Sequence, residues 1–485
     1  MAVKIGSRGG LRLEAHKERS TRRSLRAASQ PSTLILPLDQ HAGVPANPIV
    51  KAGERVLRGQ PIAQPSGSLS AWLHSPVSGH VKAIEPRPAP HHLGSPALSI
   101  VIENDGRDEP FDVPVRATFE ETAPEELCER IGQGGIVGLG GAVFPTAPKL
   151  FSGMQAHGPH LILNGVECEP YISCDDMLMR ERASDVVFGA RVLLHALSAK
   201  SCIIAVEDDM PLALEAMRRA VAEAGDSRIR AQAVPGIYPA GGEKQLISTL
   251  LGVEVPFDGL PADAGVLCHN VATAAAIAHW IRDGRPLISR IVTVTGDGVR
   301  EPANLDVLLG TPFASVIADC GGYTERMDRL IMGGSMMGLA LPHDEVPVVK
   351  ATNCIVVASR LDLEPRGAEM PCIRCGLCAD ACPAFLLPQQ IHLHVQSGDL
   401  DGMARYGLAD CIECGCCDYV CPSQIPLVER FREAKPALAA ALAEHTNAAL
   451  ARLRFEARAE RLERLESERR AALARKRQEL TGKRP

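Results

Sequence analysis

Residues 372–383 read CIRCGLCADACP, and the same spacing returns at 411–422 as CIECGCCDYVCP. Each copy is C-x2-C-x2-C-x3-C-P, so the chain carries Cys372, Cys375, Cys378 and Cys382, then Cys411, Cys414, Cys417 and Cys421. Nine of the 16 cysteines fall between 372 and 421. Disulfides do not persist in a reducing compartment, so dense and regular thiols point to metal. Zinc usually takes two C-x2-C knuckles. A triplet followed by a remote fourth thiol suits the corners of a 4Fe–4S cubane, with the fourth cysteine crossing to the other cluster. The spacing therefore pairs Cys372, Cys375 and Cys378 with Cys421, and Cys411, Cys414 and Cys417 with Cys382. Cys416 fits no corner and reads as a bystander. The segment 384–410 looks helical, which predicts a helical two-cluster ferredoxin domain.

Clusters of this kind move single electrons, so the source of those electrons must lie elsewhere in the chain. The 485 residues are long enough for several domains. Net charge is −6 and aromatic residues make up 4%, which gives no footing for nucleic-acid binding. No window reaches about 18 uninterrupted apolar residues, so no transmembrane helix is expected. The basic start lacks an apolar h-region and is no secretory signal, which points to the cytoplasm.

Residues 132–149, GQGGIVGLGGAVFPTAPK, hold six glycines before Phe-Pro-Thr and a lysine. Glycine lets backbone N–H groups approach a phosphate or a ring. HLILNGVECEP follows, where LILN reads as a short buried strand carrying Asn164, Glu167 and Glu169 to its carboxyl end, the ligand side of α/β sheets. GIYPAGGEKQL and LCHNVATAAAIAHWI come next, at 236–246 and 267–281.

These four stretches, in this order, resemble the flavin- and NADH-binding subunit of respiratory complex I. The resemblance implies a Rossmann-like FMN domain over 116–286. In it Gly138, Gly140, Gly141 and Lys149 cradle FMN, and Phe144 walls the nicotinamide site. Asn164 falls on the flavin-binding asparagine. Glu167 and Glu169 fall on two glutamates that would hold the nicotinamide ribose or amide. Tyr238, Gly241 and Glu243 match its tyrosine motif, and Asn270 and Thr273 its last motif. The chain departs from that family at Val166, Gly242, His269 and Ala272.

Residues 289–317 alternate around Gly-Asp-Gly and resemble the β-grasp (SLBB-like) module that follows the flavin domain, here 287–345. Residues 33–104 form a string of short strands like a lipoyl-type barrel-sandwich, within a first domain of 1–115 that includes the basic N-terminus. The ferredoxin domain spans 346–426. The tail 427–485 is rich in Ala, Glu, Arg and Leu, which predicts a basic helix interrupted early by Pro436. The fold class is thus multidomain α/β plus β.

This order of domains, with PLDQHAGVPANP, GLGGAVFPTAPK, NGVECEPYISCDD and MGGSMMG, closely resembles the RnfC family, the C subunits of the Rnf (Rsx) electron-transport complex. The resemblance implies a peripheral subunit on the cytoplasmic face of the bacterial inner membrane. Its partners would be the other Rnf subunits, the membrane surface, and ferredoxin or flavodoxin, met directly or through a sister iron–sulfur subunit. Its activity would be an ion-translocating NADH:ferredoxin-type oxidoreductase using FMN, two 4Fe–4S clusters and NAD(H). A non-catalytic relay without nucleotide binding, or a diaphorase subunit of a soluble hydrogenase or formate dehydrogenase, remain open on the sequence.

Overall fold

The computed structural model describes residues 4–5, 9–90, 95–113, 118–156, 158–256, 259–363 and 367–481. Near the N-terminus, short strands of alternating polarity pair into two small sheets. One orders Thr33–Pro37, Pro96–Asn104, Gly79–Pro88 and Arg55–Val56; the other orders Asn47–Pro48, Pro61–Gln64 and Leu73–His74. Leu34, Leu36, Ile62, Leu73, Val81, Ile100 and Ile102 close the sandwich between them.

The central domain is a four-stranded parallel sheet in the order Ile229–Val234, Ser201–Glu207, His160–Gly165, Val266–Asn270. Its two central strands, His160–Gly165 and Ser201–Glu207, are mostly apolar runs because both faces are covered, while edge strand Ile229–Val234 exposes Arg230. Leu161, Leu163, Ile204 and Val206 face one core, which takes helices Ala183–Ala196, Pro211–Ala224 and Val271–Asp283. Ile162, Ala205, Val234 and Val266 face the other, against Leu246 and Ile247 of helix Glu243–Leu251. The expected strand under LILN is present, and its carboxyl end opens towards the cysteine-rich module.

The next sheet has six strands, ordered Leu339–Leu341, Arg329–Met332, Cys354–Ala358, Ser289–Thr295, Ala303–Leu308, Arg26–Ala27. Two of these lie outside 287–345. Cys354–Ala358 is buried at every position and fills the middle of the sheet, parallel to 289–295. Arg26–Ala27 is contributed by the N-terminal segment. Neither was marked by a motif.

The cysteine-rich module is helical, with Pro388–Ser397 and Leu400–Arg405 between its two cysteine runs. The tail departs from expectation at Pro436: one helix runs from Leu427 to Thr481 straight through it. An interior proline costs about 3 kcal/mol. Here Val428 and Phe431 before it and Leu438 after it are all buried in the module's core, and that packing holds both sides in one helix. From 442 to 478 the described side chains are exposed.

Candidate functional site

The glycine-rich loop lies across the carboxyl end of strand 266–270. Leu139 N–H donates to Thr273 Oγ1 at 2.9 Å, and Gly140 packs on the side chain of Asn270. Gly138 N–H closes the loop on the Phe144 carbonyl at 2.9 Å. At the tip, Gly140, Gly141 and Ala142 are exposed, and their N–H groups make no hydrogen bond to the described residues. Gly141 has φ 113° with open space where a Cβ would stand. Free amides on a glycine turn form an anion-binding concavity, so the loop fits a phosphate. Phe144 stands beside it, 39% exposed.

Asn164 and Asn270 pair across neighbouring strand ends, where Asn270 Nδ2 donates to the Asn164 carbonyl at 3.3 Å. Asn164 Nδ2 donates to the Gly241 carbonyl at 2.8 Å, and Asn270 Nδ2 donates to Asp175 Oδ2 at 2.6 Å. Asn270 also caps helix 271–283 by accepting from Ala272 N–H. Lys149 pairs with Glu243 at 2.7 Å.

The two glutamates expected at the nicotinamide are both engaged inside the protein. Glu167 accepts from the backbone N–H groups of Asp175 and Asp176 at 2.9 and 3.2 Å, at the start of helix Cys174–Glu181. Burial pushes its carboxyl up to about 8. Glu169 accepts from Met336 and Met337 N–H at 2.7 and 2.9 Å. Tyr238 is buried, and its hydroxyl donates to the Cys414 carbonyl at 2.5 Å, so it faces the cysteine module.

Three residues here carried no sequence signal. Lys17 comes from the basic N-terminal run yet is almost fully buried. Its ammonium meets the Glu167 carbonyl and, at 3.2 Å, Glu207 Oε2. Arg290 and Lys350 reach the glycine-rich loop from behind, both buried.

The two cysteine runs share one backbone, offset by 39 residues (Cys372 to Cys411). Arg374 and Glu413 have φ 57° and 56°, Gly376 and Gly415 85° and 81°, Phe385 and Gln424 54° and 53°. Helices Leu377–Asp380 and Cys416–Tyr419 match, and so do the starts of Pro388–Ser397 and Leu427–Thr481. Cys382, Cys411, Cys414 and Cys417 line one recess, walled by Leu386, Ile391, Val428 and Phe431. Burial raises the thiols of Cys382, Cys411 and Cys417, so bare thiolates are disfavoured and the donor set fits a soft cationic centre. Cys416 also lines the recess. A hydrogen bond from it holds the Cys414 thiol below its ordinary value. For the other set, Met370 N–H donates to the Ser423 carbonyl and Ser423 Oγ to that of Pro371. This lays the chain entering Cys372 beside the chain leaving Cys421.

A glycine loop that fits a phosphate, on a parallel sheet joined to a doubled cysteine module, is the architecture of a flavin and iron–sulfur protein of electron transport. The comparisons agree on each part. Residues 5–107 match the RnfC barrel sandwich hybrid domain, 131–279 the Nuo51 FMN-binding domain, 291–340 the SLBB domain and 370–425 the 4Fe-4S dicluster domain. The C subunit of the ion-translocating oxidoreductase complex of Rhodobacter capsulatus is 46% identical, over 88% of this chain and 82% of that protein. The namesake from Pseudomonas aeruginosa is 47% identical over 96% of this chain, and that from Vibrio cholerae 44% over 95%. This chain spans 59% of the length of each of the latter two. The chain belongs to the RnfC family, the C subunits of ion-translocating oxidoreductase complexes. No helix among the described residues is long and apolar enough to cross a membrane.

Proposed function

We propose that this chain passes electrons between NADH and a ferredoxin-type carrier. It does so as a peripheral subunit on the cytoplasmic face of a membrane-bound, ion-translocating complex. The observation that carries this reading is the contact between the two halves of the site. Tyr238, from the flavin-type domain, bonds the backbone of Cys414, while Cys372 and Cys375 of the other set are exposed. FMN held at the glycine-rich loop would supply hydride exchange with NADH, and 4Fe–4S clusters held by the two cysteine sets would supply single-electron transfer.

The chain's own residues supply the rest. Gly140, Gly141 and Ala142 present N–H groups to the flavin phosphate, and Phe144 offers a ring face. Asn164 and Asn270 brace the carboxyl ends of their strands beside the loop. Cys382, Cys411, Cys414 and Cys417 hold the inner cluster. Cys372, Cys375, Cys378 and Cys421 hold the outer one, where ferredoxin or a sister subunit would meet it. Apolar walls keep water from the inner set.

One observation favours a second reading, a relay that binds no nucleotide. Glu167 and Glu169 are taken up by backbone amides and Lys149 by Glu243, leaving few side chains for NADH.

Anaerobic purification with flavin and iron analysis, then NADH titration of the visible spectrum, separates them. The first reading expects about one FMN and about eight irons per chain, all bleached by NADH. Full iron with no flavin and no bleaching would sink it in favour of the relay.

A further inference from the structure

The glycine-rich loop is held from behind by two basic side chains that belong to neither the loop nor its sheet. Lys350 Nζ donates to the Gly135 carbonyl at 2.7 Å and to the Trp72 carbonyl of the barrel-sandwich at 2.9 Å. Arg290, in strand 289–295, donates to the Leu139 carbonyl at 3.2 Å and, through its other nitrogen, to the Lys350 carbonyl. Lys350 N–H in turn donates to Gln40 Oε1 at 3.1 Å. The Val143 carbonyl accepts from Ala42 N–H at 3.1 Å.

Thus the carbonyls at 135, 139 and 143 all point into the protein, towards groups from other modules. The amides between them, at 140–142, point out. Lys350 has no carboxylate at ion-pairing distance among the described residues. Burying an amine without a counter-ion is unfavourable, and the fold tolerates it at this one junction of three modules. Burial pushes its amine down to about 7, and protonated or neutral it keeps the two N–H bonds these carbonyls need.

We propose that Arg290 and Lys350 are positioning residues for the phosphate of FMN, turning the loop's carbonyls inward so that its amides form the anion cradle. This rests on the flavin reading above. It makes the barrel-sandwich and β-grasp modules part of the flavin site, which is incomplete without them.

The test compares FMN with riboflavin, which lacks the phosphate. Each flavin is titrated into flavin-depleted, cluster-loaded full-length protein by fluorescence quenching. The wild type should bind FMN at least tenfold more tightly than riboflavin. In Arg290→Met and Lys350→Met that advantage should collapse to near parity, with riboflavin affinity and iron content kept. Arg290→Lys should recover part of it. If the methionine variants do not fold, Arg290→Lys and Lys350→Arg carry the same ratio, and a partial loss is expected. An unchanged FMN-to-riboflavin ratio, or an equal loss of both flavins, overturns the proposal. A wild type that binds neither flavin removes the flavin reading itself, and the proposal with it.

Discussion

Cys375 and Cys414 occupy equivalent places in two copies of one turn, each just before a glycine in left-handed conformation. Cys375 faces solvent, whereas Cys414 is 7% exposed. The difference comes from what each copy packs against. Gly10 N–H donates to the Ala381 carbonyl, Leu11 and Tyr238 exchange backbone hydrogen bonds, and Tyr238 reaches Cys414. The inner set is therefore sealed by the N-terminal segment and the flavin-type domain. Of the outer set, Cys378 and Cys421 pack on the module's own core, and Cys372 and Cys375 are exposed. Cluster potential depends on exposure and on hydrogen bonds near the sulfurs, so identical ligand patterns give two non-equivalent centres. A repeat supplies the ligands, and its neighbours supply the difference in burial.

The sharpest way to break this comparison is to delete one thiol from each copy. Cys414→Ala should lose about four irons. It should also lower the melting temperature of the module markedly, because its ligand set lines the packed core and metal binding there is folding free energy. Cys375→Ala should lose a similar share of iron with a far smaller melting shift. Iron analysis and thermal melts on both variants decide it. Equal destabilisation would mean that the two sets are structurally equivalent after all.

Lys17 tests the seal. It ties the N-terminal segment to Glu167 and Glu207. Lys17→Met strands Glu207 as a buried charge, and breaking such a pair typically costs about 3–5 kcal/mol. In the wild type an iron chelator should strip the outer set well before the inner one, giving two phases of bleaching. In Lys17→Met the slow phase should quicken towards the fast one. Two phases that stay as far apart as in the wild type would show that the N-terminal segment does not guard the inner set.

How much of this was legible beforehand follows the physics of each signal. The cysteine spacing announced the doubled module because ligand geometry is local. LILN announced its strand because a doubly covered strand must be a continuous apolar run. The glycine-rich loop was legible as a turn with free, exposed amides for the same local reason. Lys17, Arg290 and Lys350 were invisible. A single cation in a polar stretch looks the same whether it ends in solvent or against a carbonyl 150 residues away, as Lys17 does. The strand 354–358 fell inside the expected ferredoxin domain and was not seen as a partner of 289–295, since pairing across a long insertion has no periodic mark. Pro436 was weighed by its local penalty alone, and the buried contacts on both sides outweighed it. The unequal burial of the two cysteine sets could not be read from two nearly identical strings, because it resides in what covers them.

Tyr238 gives the smallest and most selective test. Its hydroxyl is a side-chain bridge between the flavin-type domain and the inner ligand loop, and phenylalanine keeps the ring and its packing while removing the donor. The Cys414 carbonyl loses one partner, so Tyr238→Phe should cost about 1 kcal/mol of stability. The more telling readout is spectroscopic. In a redox titration followed by electron paramagnetic resonance, the inner cluster's midpoint should shift, because a hydrogen bond to its ligand backbone is gone. The outer cluster, beyond the reach of that bond, should titrate as in the wild type. Equal shifts in both signals would mean that the two centres share one environment, and the asymmetry between Cys375 and Cys414 would then be one of exposure alone.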